Sequence, residues 1–415
     1  MRLLTATFTT RPSGSAIDGD VEKRTGHKGT LVASLLTVVP KLQSVLESND
    51  RVMTAVNSIS ASVINPTFHA KSFPEALSLE TLQLLLSLIV QSPAAKNWKK
   101  DVSDAFSDPK FFHSRVEIVQ DGWYPVLRKW SMGDKDRLPD LLSSVTAPTT
   151  AGLMFGVGAS AARLDADRKT QTSLRRISLL MLACDVDTYM NVVPLFAEKL
   201  GELSAATASS SPSSTTRAEI FMVYRALLLS VSSFHLSGLW PLINDLLQAA
   251  LTSAIPGSRE QETFNNVSLL QASKLLDLLT IMAPEEFQLH EWLYVTNTID
   301  AVYRPEDWTA SALVEEVAST LDTDFSDEHK VLVTPTTASE QPSNGLIGPS
   351  LRTPALDGAD LKAMARDDFV KTTLQPFFAQ LSMYAYENTY GMGVADIDAC
   401  RRDLLEDILD EGTIV

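Results

Sequence analysis

Residues 263–304 read TFNNVSLLQASKLLDLLTIMAPEEFQLHEWLYVTNTIDAVYR, and this stretch decides the fold class. In its first half, apolar residues recur at three- and four-residue steps, which is the period of one buried helical face. Gln271, Lys274 and Asp277 fall on the opposite side of that helix. Pro284 ends the helix, because proline has no amide hydrogen and its ring crowds the preceding turn. The apolar face comprises Leu269, Ala272, Leu275, Leu276, Leu279 and Met282.

A second helix is predicted directly after Pro284. Proline fits the first turn of a helix, and the carboxylates of Glu285 and Glu286 oppose its positive end. Its apolar residues are Phe287, Leu289, Trp292, Leu293, Ile299 and Val302. Two amphipathic helices joined by a short turn cannot bury their faces alone. We therefore expect similar helical hairpins to stack on both sides of this one.

Nearly every other patterned stretch is also helical, which predicts an all-α fold: an irregular stack of helical hairpins, or HEAT-like α-solenoid, with long low-complexity loops. A small strand-like island occurs at Lys330–Val333, and no strict repeat period is present. Ser72-Phe73-Pro74-Glu75 has the form of a capping box. It predicts the start of a leucine-rich core helix that runs to Val90. Trp98, Val102 and Phe106 form a single stripe on the next helix.

Six segments are expected along the chain. They are a poorly ordered lead-in (1–27), an N-terminal helical bundle or solenoid half (28–205), a Ser-rich loop (206–216), central helical hairpins (217–321), a long loop (322–360), and C-terminal helices with an acidic leucine-rich end (361–415).

Two stretches of the chain are HLSGLWPLINDLLQAAL and LLQASKLLDLLTIMAPEEFQLHEWLYVTNTIDAVY. They resemble the C-terminal region of the Dopey family, and the resemblance is strongest from His235 to Tyr303. The resemblance implies a piece of a very large cytosolic protein, peripherally attached to trans-Golgi network and endosome membranes. It implies cargo recycling between these membranes, with a Mon2-like protein, similar to Arf exchange factors, and a P4-type phospholipid flippase as partners.

Composition limits the classes of function. The chain has 415 residues and a net charge of −16, from 35 basic and 51 acidic residues. This excess of acid argues against nucleic-acid binding and against unaided adsorption to an anionic membrane. Cys184 and Cys400 lie far apart, which favours reduced thiols in a cytosolic protein. No apolar run reaches the ~18–20 uninterrupted residues of a membrane span, and no signal peptide is expected.

The sequence contains no complete catalytic motif, which predicts a protein that is not an enzyme and has no cofactor or metal. Gly156-Val-Gly158-Ala-Ser-Ala161 mimics a dinucleotide-binding fingerprint, but it lacks the preceding strand that this motif requires. A glycine-rich turn is the favoured interpretation. His290-Glu291 resembles the start of a zinc-protease motif, yet Tyr294 occupies the position of the second ligand.

A locally basic cluster is one candidate interaction site, for a phosphoinositide headgroup or an acidic partner. The alternative is a solvated helix face that Asp165 and Asp167 balance, and this alternative is favoured. The cluster consists of Arg163, Arg168, Lys169, Arg175 and Arg176.

The last helix, predicted over Val394–Leu409, is a second candidate. Its apolar side could form a homodimer or bind a partner, and packing back onto its own domain is the alternative. Asp403 and Asp407 belong to its very acidic remainder. The apolar side consists of Ile397, Leu404, Leu405, Ile408 and Leu409.

Three classes of function follow. The leading one is a non-enzymatic scaffold of endosome-to-Golgi traffic. The second is an unrelated helical adaptor, such as a transport receptor or an assembly chaperone. The third is an enzyme whose site the sequence does not reveal, which a deep pocket with ionisable groups of shifted pKa would indicate.

Overall fold

The computed structural model describes residues 29–134, 136–145, 159–209, 214–295, 312–320, 351–356, 361, 364–381 and 393–414. Helices dominate these residues, and the prediction of an all-α helical-repeat fold is confirmed. The strands among them are β1 (Leu351–Arg352) and β2 (Val394–Ala395), which pair in parallel. The chain divides into two compact units, residues 1–138 with 409–411 and residues 139–408 with 412–415. This division falls inside the predicted 28–205 segment.

The first unit is built from short helices. In chain order they are α1 (29–38), a 3-10 turn (Val39–Lys41), α2 (Leu42–Leu46), α3 (Asn49–Ile59), a π turn (Ser60–Ile64), α4 (Asn65–Phe68), α5 (Leu79–Gln91), α6 (Lys96–Ser107), a 3-10 turn (Pro109–His113), α7 (Val116–Ile118), a π turn (Val119–Trp123) and α8 (Tyr124–Met132).

The core helix α5 begins later than the capping-box motif predicted. Ser78, in extended conformation, is its N-cap, and the Ser78 hydroxyl accepts the amide hydrogen of Thr81 at 3.4 Å. The carbonyl of Ser72 instead accepts the amide of Ala76 in a preceding turn, at 2.9 Å. The prediction of a capping box at Ser72 is therefore wrong, because the chain turns there before the leucine run begins.

The predicted stripe on α6 is confirmed, since Trp98, Val102 and Phe106 are all buried. Close packing also explains Gly122 in the π turn before α8. A Cβ atom built on Gly122 would lie 2.5 Å from Cδ1 of Leu82 on α5. The glycine therefore lets the two backbones approach each other.

One stretch differs from the expectation about membrane spans. Gly29–Leu46 is an 18-residue helical stretch that is long and apolar enough, by length and composition, to cross a membrane. Only 17% of it is buried. Because one such helix is also found in proteins that do not span membranes, this stretch alone does not establish a span.

The second unit contains longer helices. They are α9 (Arg137–Ser144), in which the boundary between the units falls, α10 (Ala159–Leu182), a 3-10 turn (Met190–Val192), α11 (Val193–Ser209), α12 (Ser214–Ser230), a 3-10 segment (Ser233–Leu239), α13 (Trp240–Thr252), α14 (Asn266–Met282), α15 (Glu285–Gln288), α16 (Glu291–Tyr294), α17 (Leu313–Thr320), α18 (Arg366–Phe369), a π turn (Val370–Leu374), α19 (375–381), α20 (Ile397–Leu409) and a 3-10 turn (Glu411–Thr413). Leu409 at the end of α20 and Glu411 in the last turn belong to the first unit.

Three of these helices form an inner row. Helix α12 packs between α10 and α14, while α11 and α13 form an outer row. The amide of Asp187, just after α10, donates to the carbonyl of Ser230 at the end of α12, at 2.9 Å. The turn after α14 lies within 8 Å of the turn after α12, measured between Cα atoms. The three inner helices are therefore parallel, as expected for stacked hairpins.

The hairpin that decided the fold is confirmed only in part. Helix α14 ends at Met282, Ala283 adopts a left-handed conformation (φ 42°), and Pro284 precedes α15. The predicted single second helix is instead two short helices, α15 and α16, separated near Leu289 and His290. Residues 296–304 of the hairpin lie outside the described residues.

Several predicted segments also lie outside the described residues, wholly or in part. They are the lead-in, the glycines of the Gly156–Ala161 motif, the Lys330–Val333 island and most of the 322–360 loop. The predicted Ser-rich loop 206–216 is shorter than expected, since α11 continues to Ser209 and α12 begins at Ser214.

Candidate functional site

Charged side chains lie inside the inner row of the second unit. Residues 216–230 of α12 and 268–280 of α14 are buried on every side. Yet they include Arg225 and Lys274, whose side chains are each only 2% exposed. A buried charge is costly unless it is paired and hydrogen-bonded, so the partners of these two cations identify what the row is built to hold.

Their partners come from the last helix, α20. Nη1 of Arg225 donates to Oδ2 of Asp407 at 2.6 Å, and the other guanidinium arm is paired with Asp403. Nζ of Lys274 lies 2.7 Å from Asp403 and 2.9 Å from both Asp407 oxygens. Nη1 of Arg225 also donates to Oε1 of Gln271 at 2.6 Å. We call Arg225, Gln271, Lys274, Asp403 and Asp407 the helix clasp.

A second ion pair holds the end of α20. Nε of Arg175 on α10 donates to Oε1 of Glu219 on α12 at 2.9 Å, and both side chains are almost completely buried. Nη1 of Arg175 donates to the carbonyl of Ile408 at 2.8 Å. A cation at the carboxyl end of a helix opposes its negative dipole. At the other end, the amide of Ala399 donates to the Asp396 carboxylate at 2.9 Å.

Burial changes the titration of the clasp. Burial would raise the pKa of Asp407, but attraction and hydrogen bonds from Arg225 and Lys274 outweigh it and hold the pKa below its ordinary value. Burial raises the pKa of Asp403, and the same two cations offset this only in part.

Asp277, on α14 near the clasp, titrates near neutrality. Burial raises its pKa to about 7, although the Asp277 carboxylate accepts the amide of Ala355 at 2.7 Å. Burial likewise raises the pKa of the Cys400 thiol to about 12, so this thiol stays protonated. Among the described residues, no group of three or more His, Cys, Asp or Glu is placed to hold a metal ion. The arrangement of Arg225 and Lys274 is suited to holding α20 in place through its Asp403 and Asp407 carboxylates.

Comparison with known proteins identifies the family. Residues 1–391 match the family described as DOP1 C-terminal. The chain belongs to the Dop1 family, also called Dopey. No solved structure matches it.

Dop1 relatives match this chain in fungi and animals. It is 45% identical to Protein dop1 of Emericella nidulans over 426 residues, which cover 100% of this chain and 22% of the relative. It is 25% identical to Protein DOP1 of Saccharomyces cerevisiae, over 87% of this chain and 20% of the relative. The match to Protein DOP1B of Xenopus laevis is 25% identical over 51% of this chain and 10% of the relative. The chain thus spans less than a quarter of these relatives.

In this Dop1-family chain, the apolar side of the last helix faces its own unit. Leu404, Leu405 and Ile408 are buried at 0%, 1% and 0% exposure, Leu409 is partly exposed, and Ile397 is 37% exposed. Packing back onto the domain, the alternative given to self-association, is the arrangement that the structure has. The last helix also begins later than predicted: Val394 belongs to β2, and the helix begins at Ile397.

The five residues of the basic cluster do not lie together on one surface. Arg168 and Lys169 are exposed, and Nζ of Lys169 pairs with Asp165 at 2.9 Å. Arg176 is partly exposed, and the side chain of Arg163 lies outside the described part of the chain. Including Arg175 was wrong, because it is buried against Glu219 and out of reach of a lipid headgroup.

The clasp itself was missed from sequence. Gln271, Lys274 and Asp277 were assigned to a polar side, and Asp403 and Asp407 to an acidic one, because periodicity places polar residues towards solvent. A usable signal was present: Asp403 and Asp407 are four residues apart, and Gln271 and Lys274 are three residues apart, so each pair of polar residues lies on one face of a leucine-rich helix. Facing polar stripes on two such helices indicate an ion-paired contact.

Proposed function

We propose that this chain is part of a non-enzymatic scaffold for membrane traffic between endosomes and the trans-Golgi network. Its proposed partners are a Mon2-like protein and a P4-type flippase, and its proposed place is the cytoplasmic surface of these membranes. The match of residues 1–391 to the Dop1 C-terminal family carries the proposal. The stacked hairpins support it, because helical solenoids offer extended surfaces to other proteins.

The helix clasp contributes rigidity to this scaffold. It ties α20, near the end of the chain, to α12 and α14 through buried ion pairs. The clasp thereby holds α12, α14 and α20 in fixed relative positions within the second unit. A platform that holds its shape loses less entropy when partners bind.

The test is co-purification of the full-length protein that contains this chain, from cells, with quantitative mass spectrometry. We expect a Mon2-like protein and a P4-type flippase among the enriched partners, and a fluorescent fusion that overlaps with trans-Golgi and endosome markers. The matched control removes residues 139–415 from the same protein. Enrichment of neither partner, together with a diffuse fusion, would overturn the proposal and favour the unrelated adaptor.

Direct binding to a phosphoinositide headgroup through Arg168 and Lys169 is a separate part of the proposal. Both side chains are exposed on α10. Flotation with vesicles that contain a phosphoinositide tests it, with Arg168→Gln/Lys169→Gln as the variant. Equal flotation of the variant and the parent chain would remove these residues from any membrane contact.

A further inference from the structure

Three turns lie side by side at one end of the inner row. They follow α10, α12 and α14 and comprise segments 183–192, 231–239 and 283–294. The Asp187 carboxylate accepts the amide and the hydroxyl of Ser232 at 2.7 and 2.6 Å, which joins the first turn to the second. The second turn lies against α15 of the third. We call these three segments the turn edge.

Large apolar side chains project from the turn edge. Phe234, Leu289 and Trp292 are 66%, 73% and 67% exposed, and Val186 and Met190 on the first turn are 54% and 40% exposed. The sequence pattern assigned Leu289 and Trp292 to an apolar helical face. The break between α15 and α16 instead leaves them outside, while Phe287 is buried. Exposed apolar residues grouped across adjacent turns indicate an interaction surface rather than single surface residues.

The turn edge carries negative charge. Its three segments hold no Lys or Arg, and they hold five carboxylates: Asp185, Asp187, Glu285, Glu286 and Glu291. The carboxyl ends of α10, α12 and α14 also lie here, and each adds a partial negative charge. Arg401 of α20 already binds at these helix ends. The Arg401 guanidinium donates to the carbonyls of Leu182 and Leu229, at 3.4 and 3.0 Å.

We propose that the turn edge binds a basic amphipathic helix of a partner protein. The apolar face of that helix would cover Phe234, Leu289 and Trp292, and its Lys or Arg residues would face the carboxylates and the helix ends. Trp and Phe anchors surrounded by complementary charge are typical of protein interfaces. The anionic leaflet of a membrane would be repelled by the same charges. This inference rests on the proposed role as a scaffold, and it does not depend on which membrane the protein serves.

The test uses a defined probe, the labelled model peptide LKKLLKLLKKLLKL, titrated with the chain by fluorescence anisotropy at physiological salt. We expect binding that weakens at least tenfold in Phe234→Ser/Trp292→Ser, whose side chains are exposed and whose loss leaves the core intact. The matched control, Val90→Ser/Met132→Ser, removes two side chains of 60% and 57% exposure from elsewhere and should leave affinity unchanged. The acidic peptide LEELLELLEELLEL should not bind.

Trp292 reports on the location of the peptide. Trp98, Trp123, Trp130 and Trp240 are buried, at 1%, 0%, 4% and 4% exposure, so Trp292 is the exposed indole among the described residues. Bound peptide should shift its emission to shorter wavelength and protect it from acrylamide, and Trp292→Phe should remove both effects.

Charge is tested by Asp185→Lys/Glu285→Lys, which should also weaken peptide binding at least tenfold. Equal affinity in the apolar variant and in its control would overturn the proposal, since the peptide would then follow the net charge alone. Binding to vesicles with phosphatidylserine, lost in Phe234→Ser/Trp292→Ser while the peptide fails to bind, would also overturn it in favour of a membrane. Either outcome leaves co-purification with trafficking partners, and thus the proposed function, untouched.

Discussion

Removing one charge from the helix clasp should destabilise the second unit far more than its chemical size suggests. In Asp407→Asn, the lost carboxylate is 9% exposed and contacts two cations that are each 2% exposed. The asparagine oxygen can accept from one cation, but its amide group then faces the other. We expect a loss of about 3–5 kcal/mol, the usual cost of breaking a buried pair from one side.

The matched control lies one residue away on the same helix. Oε1 of Glu406 pairs with Nε of Arg402 at 3.1 Å, but these side chains are 53% and 51% exposed. Glu406→Gln makes the same chemical change and should cost under about 0.5 kcal/mol, because surface pairs are weak.

Urea unfolding followed by circular dichroism measures both variants, and urea avoids the charge screening that guanidinium would add. Hydrogen exchange should show faster exchange over residues 397–409 in Asp407→Asn alone. A third variant, Lys274→Met/Asp407→Leu, removes charge from both sides and should be more stable than Asp407→Asn. If Asp407→Asn and Glu406→Gln unfold at the same urea concentration, the clasp does not hold α20 and the reasoning fails.

The remaining predictions concern titration, capping and packing. Because the folded pKa of Asp277 is raised to about 7, folding favours its protonated form, and stability should fall as pH rises from about 4 to about 7. Between pH 5 and pH 8 the parent chain should lose roughly 2–3 kcal/mol that Asp277→Asn does not lose, measured by urea unfolding; parallel profiles would contradict this. Ser78→Ala should cost about 1 kcal/mol as the loss of an N-cap, whereas Ser72→Ala should be neutral; the reverse order in thermal unfolding would restore the capping box. Gly122→Ala should cost about 1–3 kcal/mol through overpacking, while Gly201→Ala, whose Cβ would be 3.8 Å from the nearest side chain, should be neutral or stabilising; equal melting temperatures would reject the close approach.

Much of the fold could be predicted from apolar periodicity and from proline. The period of the leucines in α14 predicted a helix, and Pro284 predicted its end; the helix ends at Met282, and a new helix begins after Pro284. The stripe of Trp98, Val102 and Phe106 is buried as the four-residue spacing predicted. These features are local, and helical geometry alone decides which side of such a segment is apolar.

What could not be predicted depends on a helix from a distant part of the chain. Periodicity treats a polar residue as solvent-facing, so it assigned Lys274 and Asp407 to the surface. It has no means of showing that α20, more than a hundred residues later in the chain, brings carboxylates onto the polar side of α14. Leu289 and Trp292 were assigned to one helical face because a continuous helix was assumed, and the break near His290 removes that face.

The clasp also explains how α20 finds one position. Its apolar side repeats every four residues, since Leu404 and Leu405 are followed by Ile408 and Leu409. A shift of one helical turn, about 5.4 Å, would therefore bury a similar apolar face. It would also move Asp403 or Asp407 away from Arg225 and Lys274 and leave a buried cation without its full set of partners, which is strongly unfavourable.

We infer that the leucines supply attachment and the charges select the register. Removing all four charges, in Arg225→Met/Lys274→Met/Asp403→Leu/Asp407→Leu, separates the two roles. Retained stability with several positions of α20, seen as a broad distribution of spin-label distances, supports this inference, and a single sharp distance would assign the register to packing alone.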